Sequence, residues 1–294
     1  MKDIIVIIGP TGVGKTKLSL SLAEELNAEI INGDSVSIYK ALNIGSAKPT
    51  KEEQSKIKHH LIDIKTVTED YSVYDYQKDV REKIQELTEK GKRIIIVGGT
   101  GLYIKAALYD YRFTEGTTNN SYENLSNEEL LAKLKNYQPK YIPEVNNRRR
   151  LVRLLNKFEN NESEQTNKDK LLYPIKVIGL TTDRENLYNR INNRVDEMLE
   201  KGLLEEIKNL KPYYNSSRIL NSGIGYKEFS PYLFENKSLK EVAEEIKQNS
   251  RRYAKRQYTF FRHQFNVKWF DVNFENFSET ITEVLDYLKE ERDV

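Results

Sequence analysis

The chain has 294 residues, 31% charged and 38% hydrophobic, with a formal net charge of +2. That is long enough for one large domain or two modest ones, and the global balance argues neither for nor against a polyanionic partner. The absence of cysteine excludes disulfides, thiolate metal sites and cysteine nucleophiles and suits a reducing cytoplasm; no apolar run approaches the roughly 18 residues of a membrane span, and a first strand starting almost at Met1 leaves no room for a signal peptide.

Along the chain, Ile4–Ile8 reads as a buried strand, and Lys15–Leu26 reads as an amphipathic helix with Leu18, Leu22 and Leu26 on one face. Glu29–Ile31 is a short strand that runs into Asn32-Gly33-Asp34-Ser35. Tyr74–Lys90 is a helix with Val80, Ile84 and Leu87 on one face, closed by Gly91. Arg93–Val97 is another buried strand, followed by the glycine loop Gly98-Gly99-Thr100-Gly101 and a helix over Leu102–Leu108. This β-α repetition predicts a parallel sheet covered by helices on both faces. Ligands then bind at the carboxyl ends of the strands, so the loops 9–16, 32–37 and 98–101 should line one cleft.

After Phe113 the character changes. Residues 114–124 are polar; Ser126–Tyr137 opens with the capping-box pattern Ser126-Asn-Glu-Glu129 and reads as a helix; Asn147–Phe158 is a second helix; and 159–170 is a polar linker. Residues 113–170 therefore read as a small helical insertion into an α/β core made of 1–112 and 171–294. A strand returns at Ile175–Leu180. Helices follow at Arg184–Lys201, Leu203–Leu210 and Leu239–Gln264, with a glycine turn at Gly223-Ile-Gly225, then a short strand near Trp269 and a closing amphipathic helix.

The stretch Gly9-Pro10-Thr11-Gly12-Val13-Gly14-Lys15-Thr16 fits the phosphate-loop pattern G-x-x-x-x-G-K-[ST] between its required strand and helix. Glycines let backbone N–H groups turn towards an anion, the helix N-terminus adds partial positive charge, Lys15 supplies a point charge and Thr16 a hydroxyl for Mg²⁺. Asp34, at the end of the second strand, is placed either to hold a Mg²⁺ shell through water or to take a proton from an incoming nucleophile. Gly98–Tyr103 reads as a tight strand-to-helix turn or a second anion loop. Arg148, Arg149, Arg150 and Arg153 fall within six residues, with no acid between Val145 and Phe158, which points to phosphate-backbone contact. Lys247, Arg251 and Lys255 step by four along a second basic helix, interleaved with Tyr253, Tyr258, Phe260 and Phe261 as a base-stacking surface requires. Arg190 and Arg194 share a helix face; they serve either a leaving group at the phosphate loop or salt bridges with Asp183, Glu185 or Asp196. His59 and His60 read as structural residues.

Taken together, Gly9–Thr16, Asp34-Ser35-Val36-Ser37-Ile-Tyr39, Ile44-Gly-Ser-Ala-Lys48-Pro49, His59-His60-Leu-Ile-Asp63, Gly98–Tyr103, Arg149-Arg150-Leu151-Val152-Arg153, Ile224-Gly-Tyr-Lys-Glu228 and Tyr253-Ala-Lys255-Arg256-Gln257 resemble the bacterial tRNA dimethylallyltransferase family in order and approximate spacing, from residue 4 to about 270. The resemblance implies a P-loop NTPase-like core with a helical insertion that grips the tRNA anticodon stem-loop. It also implies transfer of a dimethylallyl group from dimethylallyl diphosphate to N6 of the adenine 3′ of the anticodon. On that resemblance the loop Gly9–Thr16 holds diphosphate; Lys15, Thr16 with Mg²⁺, and Arg194 stabilise the departing pyrophosphate; and Asp34 is the general base. Asp34, Ser35, Val36, Ser37, Thr100, Arg149, Arg150, Leu151, Val152, Arg153, Arg251, Lys255, Arg256 and Gln257 fall on its tRNA-contacting stretches. The sequence departs from the family pattern at Val36 and Ser37 in place of methionine and glutamine, at Ser46 in place of threonine, and at Phe260 in place of tryptophan. A monomeric, cytoplasmic enzyme without membrane association is the expectation. Within the same fold the rivals are a dimethylallyltransferase acting on free AMP or ADP and a small-molecule kinase that binds ATP; a non-catalytic RNA-binding protein is the third.

Overall fold

The structure is a computed structural model that describes residues 3–113, 122, 124–139, 141–159 and 169–290; the side chain of Arg149 lies outside the described residues, as do nearly all of the polar stretches at 114–124 and 159–170. The chain forms two compact units, Met1–Tyr109 with Lys170–Val294, and Asp110–Asp169.

The larger unit is built on six parallel strands: β1 (Ile4–Ile8), β2 (Ala28–Asn32), β3 (His59–His60), β4 (Arg93–Val97), β5 (Ile175–Thr181) and β6 (Lys268–Asp271), in the spatial order β3-β2-β4-β1-β5-β6. The run Ile4-Ile-Val-Ile-Ile8 is buried throughout because both faces of the strand are covered. Its side chains divide by the period of two. Ile4, Val6 and Ile8 join one core cluster, while Ile5 and Ile7 join a second on the opposite face. Helices α1 (Lys15–Leu26), α7 (Arg184–Glu200) and α11 (Phe277–Glu290) contribute Leu18, Leu22, Leu187, Ile191 and Val284 to the second cluster. To the first, α3 (Val73–Glu89), α4 (Gly101–Leu108), α8 (Leu203–Leu210) and α10 (Leu239–Gln264) contribute Val80, Ile84, Ile104, Ile207 and Phe261, among others.

The strand order positions the site. Because β4 lies between β2 and β1 and all three run in the same direction, the loops that leave their carboxyl ends emerge side by side. The phosphate loop follows β1, Asp34 follows β2, and Gly98–Gly101 follows β4. Elements not foreseen from the sequence of this unit include α2 (Lys51–Lys56), the two-residue β3 and the short α9 (Ser230–Phe234).

The smaller unit contains α5 (Asn127–Asn136) and α6 (Arg148–Glu159) around its own core of Tyr122, Leu130, Leu134, Leu151 and Leu155. The Ser126–Glu129 capping box is formed: Ser126 Oγ accepts from Glu129 N, and Glu129 Oε2 accepts from Ser126 N at 2.7 Å.

Candidate active site at the carboxyl ends of the central strands

The phosphate loop adopts its tight course through glycine. Gly14, at φ 102°, is the N-cap of α1, and a Cβ there would stand 2.6 Å from the Phe277 ring. Lys15 Nζ donates to two carbonyls of its own loop, Gly9 O at 3.0 Å and Pro10 O at 2.7 Å. Burial and the neighbouring charge of Arg194 lower the Lys15 ammonium from its ordinary value of 10.5 to about 7, against the opposing pull of Asp34. Arg194 is lowered by burial in turn, held up by Asp34, and it makes no hydrogen bond or salt bridge with the described residues. Lys15 and Arg194, both lowered by burial, thus share a confined space in which Asp34 acts on both and Glu197 on Arg194. Neither cation has a salt-bridge partner among the described residues, an arrangement that favours a polyanion. Arg190, on the same helix, donates from Nε to Gly12 O at 3.1 Å and stacks 3.9 Å from the Phe274 ring centroid, so it braces the loop; no acid of α7 pairs with it among the described residues.

Asp34 sits in a turn fixed from several sides. Asn32 Oδ1 accepts from Asp34 N at 3.0 Å, and Asn32 Nδ2 donates to Asp34 O at 2.9 Å and Leu61 O at 3.0 Å. The buried Tyr76 hydroxyl donates to Asn32 O at 3.0 Å. Asp34 Oδ1 accepts from Val36 N at 2.9 Å; Oδ2 accepts no hydrogen bond among the described residues. Gly98 permits the neighbouring loop to approach, since a Cβ there would lie 2.1 Å from the Gly33 carbonyl. Thr100 Oγ1 accepts from Ser35 N at 3.0 Å and donates to Ser35 Oγ at 3.2 Å, which ties the two loops together. The loops after β2 and β4 are thus in direct contact, and Gln257 links the phosphate loop to the loop after β4.

The residues placed on RNA-contacting stretches by sequence divide more unevenly. Ser35 and Val36 are half-buried beside Asp34, while Ser37 is only 4% exposed and its carbonyl accepts from Asp63 N. Gln257 is buried, and both ends of its amide are bound inside the protein: Oε1 accepts from Thr11 N at 3.1 Å and Nε2 donates to Gly99 O at 3.0 Å. Lys255 and Arg256 are exposed. Arg251 is half-buried and donates to Asn192 Oδ1 at 2.5 Å. The expected one-signed stripe on α10 does not extend to Lys247, which pairs with Asp196 at 2.8 Å and Glu244 at 3.2 Å, acids that come from α7 and from the preceding turn. On α6, Arg150 and Arg153 are exposed and Val152 half-buried, but Leu151 is fully buried in the core of the smaller unit and has no surface to offer an RNA. Arg148 is also structural: it donates to Tyr122 O and Leu125 O, both at 2.6 Å. Arg149 lies outside the described side chains.

His59 and His60 form β3; His59 Nδ1 lies 2.7 Å from Ile57 O and His60 Nε2 2.7 Å from Glu29 Oε2. Sequence gave no sign of a second hydrogen-bonded node in the larger unit. Glu206 of α8 accepts from the N–H groups of Asn43, Ile44 and Gly45 at 2.9–3.2 Å and from the Tyr226 hydroxyl at 2.8 Å, joining the Ile44–Pro49 and Ile224–Glu228 stretches.

A sequence profile of the IPP transferase family matches residues 37–264. A tRNA dimethylallyltransferase from Anoxybacillus flavithermus is 45% identical over 302 aligned residues, covering 98% of this chain and 96% of that protein. Among solved structures, the full-length tRNA isopentenylpyrophosphate transferase of Bacillus halodurans superposes with a TM-score of 0.76 at 38% identity, over 99% of this chain and 96% of the other. A eukaryotic dimethylallyltransferase acting on tRNA superposes with a TM-score of 0.73 at 29% identity, over 92% of this chain and 74% of that one. With a profile match spanning most of its length and relatives alike from end to end, the chain belongs to the IPP transferase family.

Proposed function

We propose that this protein is a tRNA dimethylallyltransferase, moving the dimethylallyl group of dimethylallyl diphosphate to N6 of the adenine 3′ of the anticodon and releasing diphosphate. The observation that carries the reading is the pairing of an anion-seeking loop, with Lys15 and Arg194 confined beside it, with a carboxylate at the end of β2, across β4 from the loop, whose Oδ2 accepts no hydrogen bond among the described residues. The adenine amine is a weak nucleophile because its lone pair is delocalised into the ring. The reaction then depends on charge stabilisation at the leaving diphosphate, a positioned base and close approach. The loop Gly9–Thr16 holds the diphosphate, and Lys15 and Arg194 neutralise charge as the C1–O bond breaks. Asp34 Oδ2 takes the N6 proton as the N6–C1 bond forms.

The Thr16 hydroxyl makes no hydrogen bond among the described residues, and no group of three or more His, Cys, Asp or Glu there is arranged to hold a metal. That fits Mg²⁺ held by one protein hydroxyl together with diphosphate oxygens and water, as its reluctance to shed water favours. When bound, the ion would offset charge on the diphosphate. Lys255, Arg256, Arg150 and Arg153, all exposed, are the residues we assign to the RNA backbone. No described helix is long and apolar enough to cross a membrane, and we take the working enzyme to be a cytoplasmic monomer.

The test is mass spectrometry after incubating the full chain with Mg²⁺, dimethylallyl diphosphate and an unmodified anticodon stem-loop, with AMP in a parallel reaction. The expected result is an adduct on the RNA adenine, none on AMP, and loss of the adduct in Asp34→Ala with RNA binding retained. An adduct on AMP alone would overturn the reading.

A further inference from the structure

Gln257 projects from the middle of α10 into the space between two loops that belong to different strands. It is 4% exposed. Its Oε1 accepts a hydrogen bond from Thr11 N, inside the phosphate loop, and its Nε2 donates one to Gly99 O, in the loop after β4. The Tyr253 hydroxyl, one turn earlier, donates to the same Gly99 carbonyl at 3.2 Å. The fit is close: a Cβ on Gly99 would stand 2.2 Å from Gln257 Nε2, so the amide requires glycine there. The next residue is Thr100, whose hydroxyl grips Ser35, and Ser35 follows Asp34. A continuous path of hydrogen bonds and single peptide links therefore runs from Thr11 through Gln257, Gly99, Thr100 and Ser35 to Asp34.

We propose that Gln257 is a positioning residue that sets the phosphate loop at a fixed distance from the loop carrying Asp34. Rather than meeting RNA, it keeps the leaving diphosphate and the proton acceptor in register. The chemistry of the side chain suits the task. A neutral amide is both acceptor and donor, whereas a carboxylate accepts only and an alkyl chain does neither. Each of its ends makes a hydrogen bond within the protein and the side chain is only 4% exposed, so little of it is open to a base edge. Misplacing reacting groups by about 1 Å costs roughly 10²-fold in rate, and the loss falls on turnover because each substrate still has its own loop. The proposal rests on the reading of Asp34 as the base.

Two variants of the full-length protein test it: Gln257→Leu, which removes both hydrogen bonds, and Gln257→Glu, which keeps the acceptor for Thr11 but sets an anion against Gly99 O. Steady-state rates are measured with dimethylallyl diphosphate and anticodon stem-loop RNA from pH 8 to pH 5.5, each divided by the wild-type rate at the same pH. For Gln257→Leu, kcat is expected to fall on the order of 10- to 100-fold with both KM values within about threefold of wild type. For Gln257→Glu, the ratio is expected to climb as pH falls, because the protonated acid regains a donor for Gly99 O, while the Gln257→Leu ratio stays flat. This second readout is internal to one folded protein and survives poor folding of the leucine variant. A Gln257→Leu kcat within twofold of wild type, a loss confined to the RNA KM, or a flat Gln257→Glu ratio overturns the proposal. Full activity in Asp34→Ala overturns the reading beneath it instead; an inactive Asp34→Ala beside unaffected Gln257 variants overturns the positioning role alone.

Discussion

At the scale of single residues, the unusual group is Lys15. With its ammonium lowered to about 7 by burial and by Arg194, it is largely neutral in the free protein above that pH. A bound diphosphate adds negative charge, which favours the ammonium and raises its pKa, so binding takes up a proton wherever the free form is neutral and the bound form charged. Diphosphate affinity should therefore be highest below about pH 7 and fall as pH rises above it. Calorimetry at pH 8 in buffers of different ionisation enthalpy should find proton uptake on binding of dimethylallyl diphosphate by wild type and none by Lys15→Met; equal uptake in both would sink the assignment. Lys15 and Thr16 were legible in sequence because the phosphate-loop pattern is local, and Asp34 because it closes a recognisable strand. The bridge made by Gln257 was not: its partner Thr11 is 246 positions away, and a glutamine in a basic helix carries no mark of burial.

At the scale of elements, long ones were readable and short ones were not. The 26 residues of α10 and the 17 of α3 repeat their apolar positions over several turns, and β1 throughout and β4 after Arg93 are unbroken aliphatic runs. By contrast α2 is Lys-Glu-Glu-Gln-Ser-Lys with no buried residue to give a period, started by the Thr50–Glu53 capping box, and β3 has two residues that are a strand only through their pairing with β2. How elements lock together was also hidden. Glu206 of α8 takes three consecutive backbone N–H groups and the Tyr226 hydroxyl, yet in sequence it is one acid on an amphipathic helix. Glu206→Ala leaves those donors without their acceptor, and because the site is half-exposed, water recovers part of the loss. The expected destabilisation is about 3 kcal/mol, read as a lower urea midpoint with an unchanged slope. A shift of less than about 0.5 kcal/mol, the range of an ordinary surface substitution, would show that the node is not holding the 43–46 segment.

At the scale of the whole molecule, each unit carries its own core. The larger unit divides its apolar side chains between two faces of a six-stranded sheet, whereas the smaller has, among the described residues, five buried core side chains, two of them Leu151 and Leu155 from α6. That difference makes stability local. Truncating Leu151 to alanine should cost about 2–5 kcal/mol, comparable with all that so small a core supplies, so the smaller unit should open while the larger one stays folded. Hydrogen exchange should then show lost protection in α5 and α6 and unchanged protection in β1, β4 and α1. If α6 serves RNA, the same variant should bind the anticodon stem-loop weakly and still bind inorganic diphosphate like wild type. Arg150→Gln supplies the contrast, since Arg150 is exposed and outside the core. There the unit should stay protected while RNA affinity falls and the slope of log affinity against log salt shrinks by roughly one phosphate contact. Loss of diphosphate binding in Leu151→Ala would mean the two cores unfold together, and an unchanged salt slope in Arg150→Gln would remove that arginine from the RNA interface.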